Sequence, residues 1–151
     1  MGIKANFKMA DVERRLNEWV DDLVNATVDA LIELGTECVE YARTNHTFQN
    51  DTGNLESSIG GKVFVSGQPV WEGGFVQVLD GSEGVEKGRA LADSVGAKCG
   101  EGQIMLVIVA GMEYAVFLES KGYDVTTSAE LYAMQQWPTM KQRIDAMMAM
   151  Q

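Results

Sequence analysis

Thr52-Gly53-Asn54-Leu55-Glu56-Ser57-Ser58-Ile59 is the stretch on which the fold turns, and it can be followed outward in both directions. Thr52-Gly53 closes a turn, after which Leu55 and Ile59 resume an apolar pattern, so the segment predicts a joint between a helix behind it and a sheet ahead. Upstream, Val12, Leu16, Trp19, Val20, Leu23, Thr27, Leu31, Leu34, Cys38 and Tyr41 recur at three- and four-residue steps with charges between them. That spacing predicts one amphipathic helix over residues 11 to about 44, with Trp19 in the core. At 1.5 Å per residue it spans about 45 Å, more than one side of a compact domain of this size needs, so part of it is expected to meet a neighbouring subunit. Gly35 inside it marks a bend or close packing.

Downstream, residues 59–65 and 75–79 carry the β-branched and aromatic side chains of two strands, joined by a turn at Ser66-Gly67-Gln68-Pro69, with Gly73-Gly74 as a bulge. Residues 103–110 are almost continuously apolar, which predicts a central strand covered on both faces. Gly111-Met112-Glu113-Tyr114-Ala115-Val116-Phe117-Leu118-Glu119 is then a strand exit, where Gly111 breaks the strand and Tyr114, Ala115 and Leu118 return to helical spacing. Residues 80–102 hold six of the sixteen glycines and predict a polar, mobile excursion, with a short helix over 85–95 and disorder before assembly. Ser128 is placed to cap a final helix through Leu131, Met134, Met140, Ile144 and Met147, which Pro138 should kink or divide. The expected architecture is a single α+β domain over 1–151, a small antiparallel or mixed sheet packed against long N-terminal and C-terminal helices. Thr52 and Gly53 form the joint, and Leu55, Ile59, Tyr114 and Ala115 belong to the core.

The 151 residues are 46% hydrophobic, enough for one real core. The formal charge of -10 repels phosphate and anionic lipid, which argues against sequence-specific nucleic-acid binding and against a membrane partner. The same acidity suits a collar through which DNA passes without sticking, but on charge alone ordinary solubility is the favoured reading. Basic residues are dispersed and form no stripe interleaved with aromatics. Cys38 and Cys99 lack the spacing of a zinc site or a disulfide framework; both are expected reduced, with Cys38 a small hydrophobe on the helix. No apolar signal core follows Met1, so synthesis in a cytoplasm is expected.

The residues offer little to a catalyst. His46 is the sole histidine, and although Asp51, Ser57 and Ser58 are near it in sequence, no Gly-x-Ser-x-Gly elbow accompanies them. Glu113 and Glu119, six residues apart, fall on different faces of a short helix, leaving Glu119 to pair with a cation of this subunit or the next. The glycines of residues 81–88 fail the spacing of a phosphate-binding loop. The chain is therefore read as no enzyme, with no cofactor or metal.

The order of parts, namely a long first helix, Thr52-Gly53-x-Leu55-x-x-Ser58-Ile59, a strand region, Tyr114-Ala115-x-x-Leu118-Glu119 and a last helix, resembles the minor tail and neck proteins of long-tailed double-stranded DNA phages. Members of that family, head-tail connector or tail-completion proteins, often carry a basic residue where Glu56 stands and a Gly-Thr after the segment occupied by Glu119-Ser120-Lys121-Gly122. They also have a proline-rich lead into the last helix; this chain departs at all three points. The resemblance implies a virion structural protein, made in the bacterial host cytoplasm, that forms a homo-hexameric ring with other neck or tail proteins as partners. The expected subunit-interface residues are Trp71, Phe75, Arg89, Glu119, Tyr123 and Met147. The alternative is a monomeric or dimeric protein-binding adaptor from a mobile element that presents its methionine-rich last helix, with a hydrolase a distant third.

Overall fold

In a computed structural model, which describes residues 2, 8–45 and 47–150, the sequence period resolves into five helices and one small sheet. Helix α1 (Met9–Thr44) is continuous, and its apolar stripe becomes buried from Ala26 onward, through Ala30, Leu34, Cys38 and Ala42. It is followed by the short α2 (Asn54–Ser57), the hairpin β1 (Ile59–Val65) and β2 (Gln68–Gly74), then α3 (Ser82–Gly96), β3 (Ile104–Ala110), α4 (Ala115–Ser120) and α5 (Thr127–Ala149). The sheet order is β2-β1-β3, and both pairings are antiparallel. The fold is α+β, as the sequence pattern implies.

Three layers follow from the pleat. Ile59 of β1 and Leu106, Ile108 and Ala110 of β3 face α1 and α5, where they meet Leu34, Cys38, Ala129, Met140 and Ile144. Phe64, Val107 and Val109 face the other way, against Ala92 of α3 and Phe75. Period-two alternation thus sorts each strand between two cores. β3 is covered on both faces, but it is an edge strand; β1 holds the centre.

The hairpin corrects the expected strand limits. Ser66 and Gly67 both have positive φ, as a two-residue hairpin turn requires, so β2 starts at Gln68 and ends at Gly74, where residues 75–79 were expected to form the strand. The register slips between Val63 and Phe64, which pair with Trp71 and Pro69, so the bulge sits at Val70 and not at Gly73-Gly74. Pro69 and the polar residues are tolerated because β2 is the other edge.

The glycine-rich stretch is no mobile excursion. Residues 82–96 form a helix whose buried face is Gly84, Gly88, Ala92 and Gly96, one small residue per turn. A Cβ at Gly84 would lie 1.9 Å from the Asn54 carbonyl oxygen, and one at Gly96 would lie 2.1 Å from the Phe64 ring. Glycine here serves close approach of α3 to α2 and the sheet. Asp93 on the helix's outer side meets Lys62 of β1 at 2.7 Å, and Glu72 of β2 approaches the same ammonium at 3.4 Å.

α5 runs as one helix with Pro138 inside it, so the proline does not divide it. It lies along α1 through a bidentate Arg143–Glu33 pair (2.6 and 3.3 Å), a Tyr132 Oη donation to Glu37 (2.8 Å) and a Tyr41–Tyr132 ring stack. Ser128 is not its cap. The free N–H groups at its start are taken by Glu119 and by Asp124, whose Oδ1 accepts from Ser128 N–H at 3.1 Å.

Candidate assembly surface

The joint explains why its residue types occur together. Gly53 has φ +80, and a Cβ there would lie 2.0 Å from the Val78 carbonyl oxygen. Asn54 Oδ1 accepts the Gly84 N–H at 3.1 Å, and Ser57 Oγ accepts the Val78 N–H at 2.8 Å. Ser58 Oγ donates to the Leu55 carbonyl at 2.6 Å and accepts the Gly111 N–H at 3.0 Å. That last bond ties the two informative segments of the sequence to one another across 53 residues. Arg43, in the last turn of α1, donates to the carbonyls of Glu56, Ile59 and Val76 and fixes the joint to the first helix. Both serines are fully buried, so their hydroxyls hold backbone in place and offer no exposed nucleophile.

Of the residues expected at a subunit interface, several are engaged within the chain. Phe75 is 2% exposed and has φ +52; its ring fills the α3-side core, in contact range of Gly60 and Gly88, and its N–H extends the ladder to the Ile59 carbonyl. Burial of an aromatic ring, worth roughly 1.5–3 kcal/mol, offsets the left-handed backbone. Trp71 is half-buried: its ring lies against Gly35 of α1 and over Gly73, which makes close packing the role of Gly35. Arg89 is exposed and pairs with Glu72 at 3.1 Å. Glu119 is taken up by the start of α5: its Oε1 accepts N–H groups from Val125, Thr126 and Thr127, and its Oε2 accepts the Thr127 hydroxyl at 2.6 Å. Burial pushes the Glu119 carboxyl up, but those donors outweigh it and hold the group below its ordinary range.

Tyr123 and Met147 are exposed, and Ala115 is buried as expected of the core. Tyr114 is not core; with Tyr123 it lines a cleft of about 550 Å³ whose other walls mix polar Asn50 and Thr52 with apolar Leu55 and Met112. Trp19 is also not core.

Trp19 belongs to a surface that residue-by-residue reading missed. Every residue from 9 to 22 is exposed, so the first turns of α1 project beyond the domain by about 20 Å. Met9, Val12, Leu16, Trp19 and Val20 line one side of this arm and continue the stripe that Ala26, Ala30 and Leu34 bury further along. A second apolar surface lies where α5 meets the outer edge of β3: a groove of about 520 Å³ floored by Leu31 and Leu106 and walled by Ile104, Met134, Trp137 and Pro138. Met134 is 66% exposed. Among the described residues no strand pairs with that edge of β3.

Chemistry of other kinds finds few converging groups. Glu113 pairs with Lys87 at 3.7 Å, and His46 lies outside the described residues. Among the described residues no three His, Cys, Asp or Glu side chains converge as they would around a metal ion. No helix among them is long and apolar enough to cross a membrane. Cys38 and Cys99 are free and buried, and burial, aided by Glu37, pushes the Cys38 thiol up to about 11.

The chain matches no family model, no curated protein sequence and no solved structure.

Proposed function

We propose that this chain is a non-catalytic assembly subunit that associates with further copies of itself, and that it serves in the neck or tail end of a long-tailed phage virion. The observation that carries the assembly reading is the uncovered apolar side of residues 9–22. A helix of that length is marginal alone in water, and each large apolar side chain left exposed forgoes about 1.5–3 kcal/mol of burial. Contiguous apolar surface rimmed by charge marks an interaction site.

The station in a virion rests on the resemblance of the Thr52–Ile59 joint and the Tyr114–Glu119 segment to minor tail and neck proteins. In that setting the subunit forms a closed, six-fold ring that completes the tail or joins it to the head. An acidic lumen would let DNA pass, since it repels the phosphate backbone over about 8 Å at physiological salt.

The exposure of Met134, Met147 and Met150 on α5 favours one other reading, a monomeric or dimeric adaptor that holds its partner on an adaptable methionine surface. Light scattering over a concentration series, with electron microscopy of any large species, separates the two. The ring reading expects a closed assembly of defined symmetry at high concentration; a mass fixed at one or two chains throughout would support the adaptor.

A further inference from the structure

The apolar arm and the apolar groove are two halves of one contact: we infer that residues 9–22 of one copy seat in the α5–β3 groove of the next. This rests on the assembly reading above and specifies its interface. Val12, Leu16 and Trp19 stand at i, i+4 and i+7, the anchor spacing with which an amphipathic helix fills an apolar groove. The groove offers Leu106, Met134, Trp137 and Pro138 and has no occupant among the described residues.

The arm cannot fill its own groove. Leu31 and Leu34 of α1 line the groove, and the arm is the same unbroken helix continued away from them, with Leu16 about 20 Å from Leu31 along the axis. Folding it back would break the backbone ladder of α1. Its occupant is therefore a second chain.

Pairing of two arms is the other way a second copy could cover the stripe, and charge disfavours it. Asp11, Glu13, Glu18, Asp21 and Asp22 outnumber Arg14 and Arg15 on each arm, so two arms side by side bring like charges together. The groove's lining instead carries no charged side chain, and the charges flanking it on α5 are of both signs, Glu130 one turn before Met134 and Lys141 one turn beyond Trp137. Arm–arm pairing would also leave every groove open, whereas arm-in-groove docking covers both apolar surfaces with one contact.

Because arm and groove are different patches, the contact is head-to-tail and repeats from copy to copy, closing into a ring when its rotation divides a full turn. One arm is small beside the roughly 800 Å² per partner of a stable interface. Single contacts are accordingly weak, and closure supplies the cooperativity.

The test uses two full-length variants, Leu16→Asp in the arm and Met134→Asp in the groove, both at exposed positions, with thermal unfolding to verify the monomer fold. Wild type should assemble, each variant alone should stay monomeric, and the mixture, at concentrations well above those at which wild type assembles, should form a one-to-one dimer that grows no further. Variants that still assemble like wild type would overturn the docking and leave the assembly reading standing. A groove variant that dimerises alone, beside a monomeric arm variant, would show arm–arm pairing and also overturn it. A monomeric wild type at all concentrations would remove both. If either aspartate variant fails to fold, Leu16→Cys mixed with Met134→Cys should give an interchain disulfide under mild oxidation; its absence where wild type assembles would contradict the docking.

Discussion

Gly84 lies in the first turn of α3, and replacing a helical glycine by alanine ordinarily gains up to about 1 kcal/mol. Here a methyl group would meet the Asn54 backbone, so Gly84→Ala should lose roughly 1–3 kcal/mol in urea unfolding. Glu119 makes a second residue-level prediction. Its folded carboxyl titrates below the ordinary 4.5, so its contribution is complete above that value and is lost as pH falls through the folded one. The melting temperature of Glu119→Gln should therefore lie below that of wild type at pH 7, and the gap should narrow as the pH is lowered below 4.5. At this scale the sequence was partly legible. Leu55, Ile59 and Cys38 are core because their spacing places them on the covered face, but Phe75 and Trp71 looked like interface residues beside glycines. Those glycines are what the rings lie against: an aromatic flanked by Gly60, Gly73 and Gly88 in space is covering bare backbone, and sequence neighbours alone do not reveal that.

At the scale of elements, α1 was the most legible because an uninterrupted three- and four-residue period has few other readings. α3 was expected as a short helix over 85–95 and runs over 82–96; its packing was what stayed hidden, although Gly84, Gly88, Ala92 and Gly96 recur every fourth residue, a signal for a flush-packed helix. β2 was displaced because Gln68–Gly74 is a half-polar edge strand with a bulge, whereas the residues that look most like a strand, 75–79, turn away at Phe75 with positive φ. α5 divides its methionines: Met140 and Met148 join the α1 core, while Met134, Met147 and Met150 stay outside. Truncation before residue 134 would thus remove Met140, Ile144 and the Arg143–Glu33 pair together. The truncated chain should lose cooperative thermal unfolding and near-ultraviolet dichroism, an outcome opposite to that of a dispensable partner-binding tail.

Over the whole molecule, the length of α1 announced that some of it leaves the domain, but not which part. The same apolar stripe runs through covered and uncovered turns, and periodicity carries no information about what lies opposite. Only the placement of α5 and the sheet shows that cover begins near Leu23 and Ala26, leaving residues 9–22 outside. An arm and a groove on one small acidic domain then make self-assembly the reading with the most apolar surface behind it. Hydrogen–deuterium exchange followed along the chain at increasing protein concentration tests this most directly. The account predicts that amides of residues 9–22 exchange rapidly in dilute solution and become protected as concentration rises, together with residues 104–106 and 133–138, while β1 stays protected throughout. Exchange in the arm that is independent of concentration, up to the highest attainable, would contradict it.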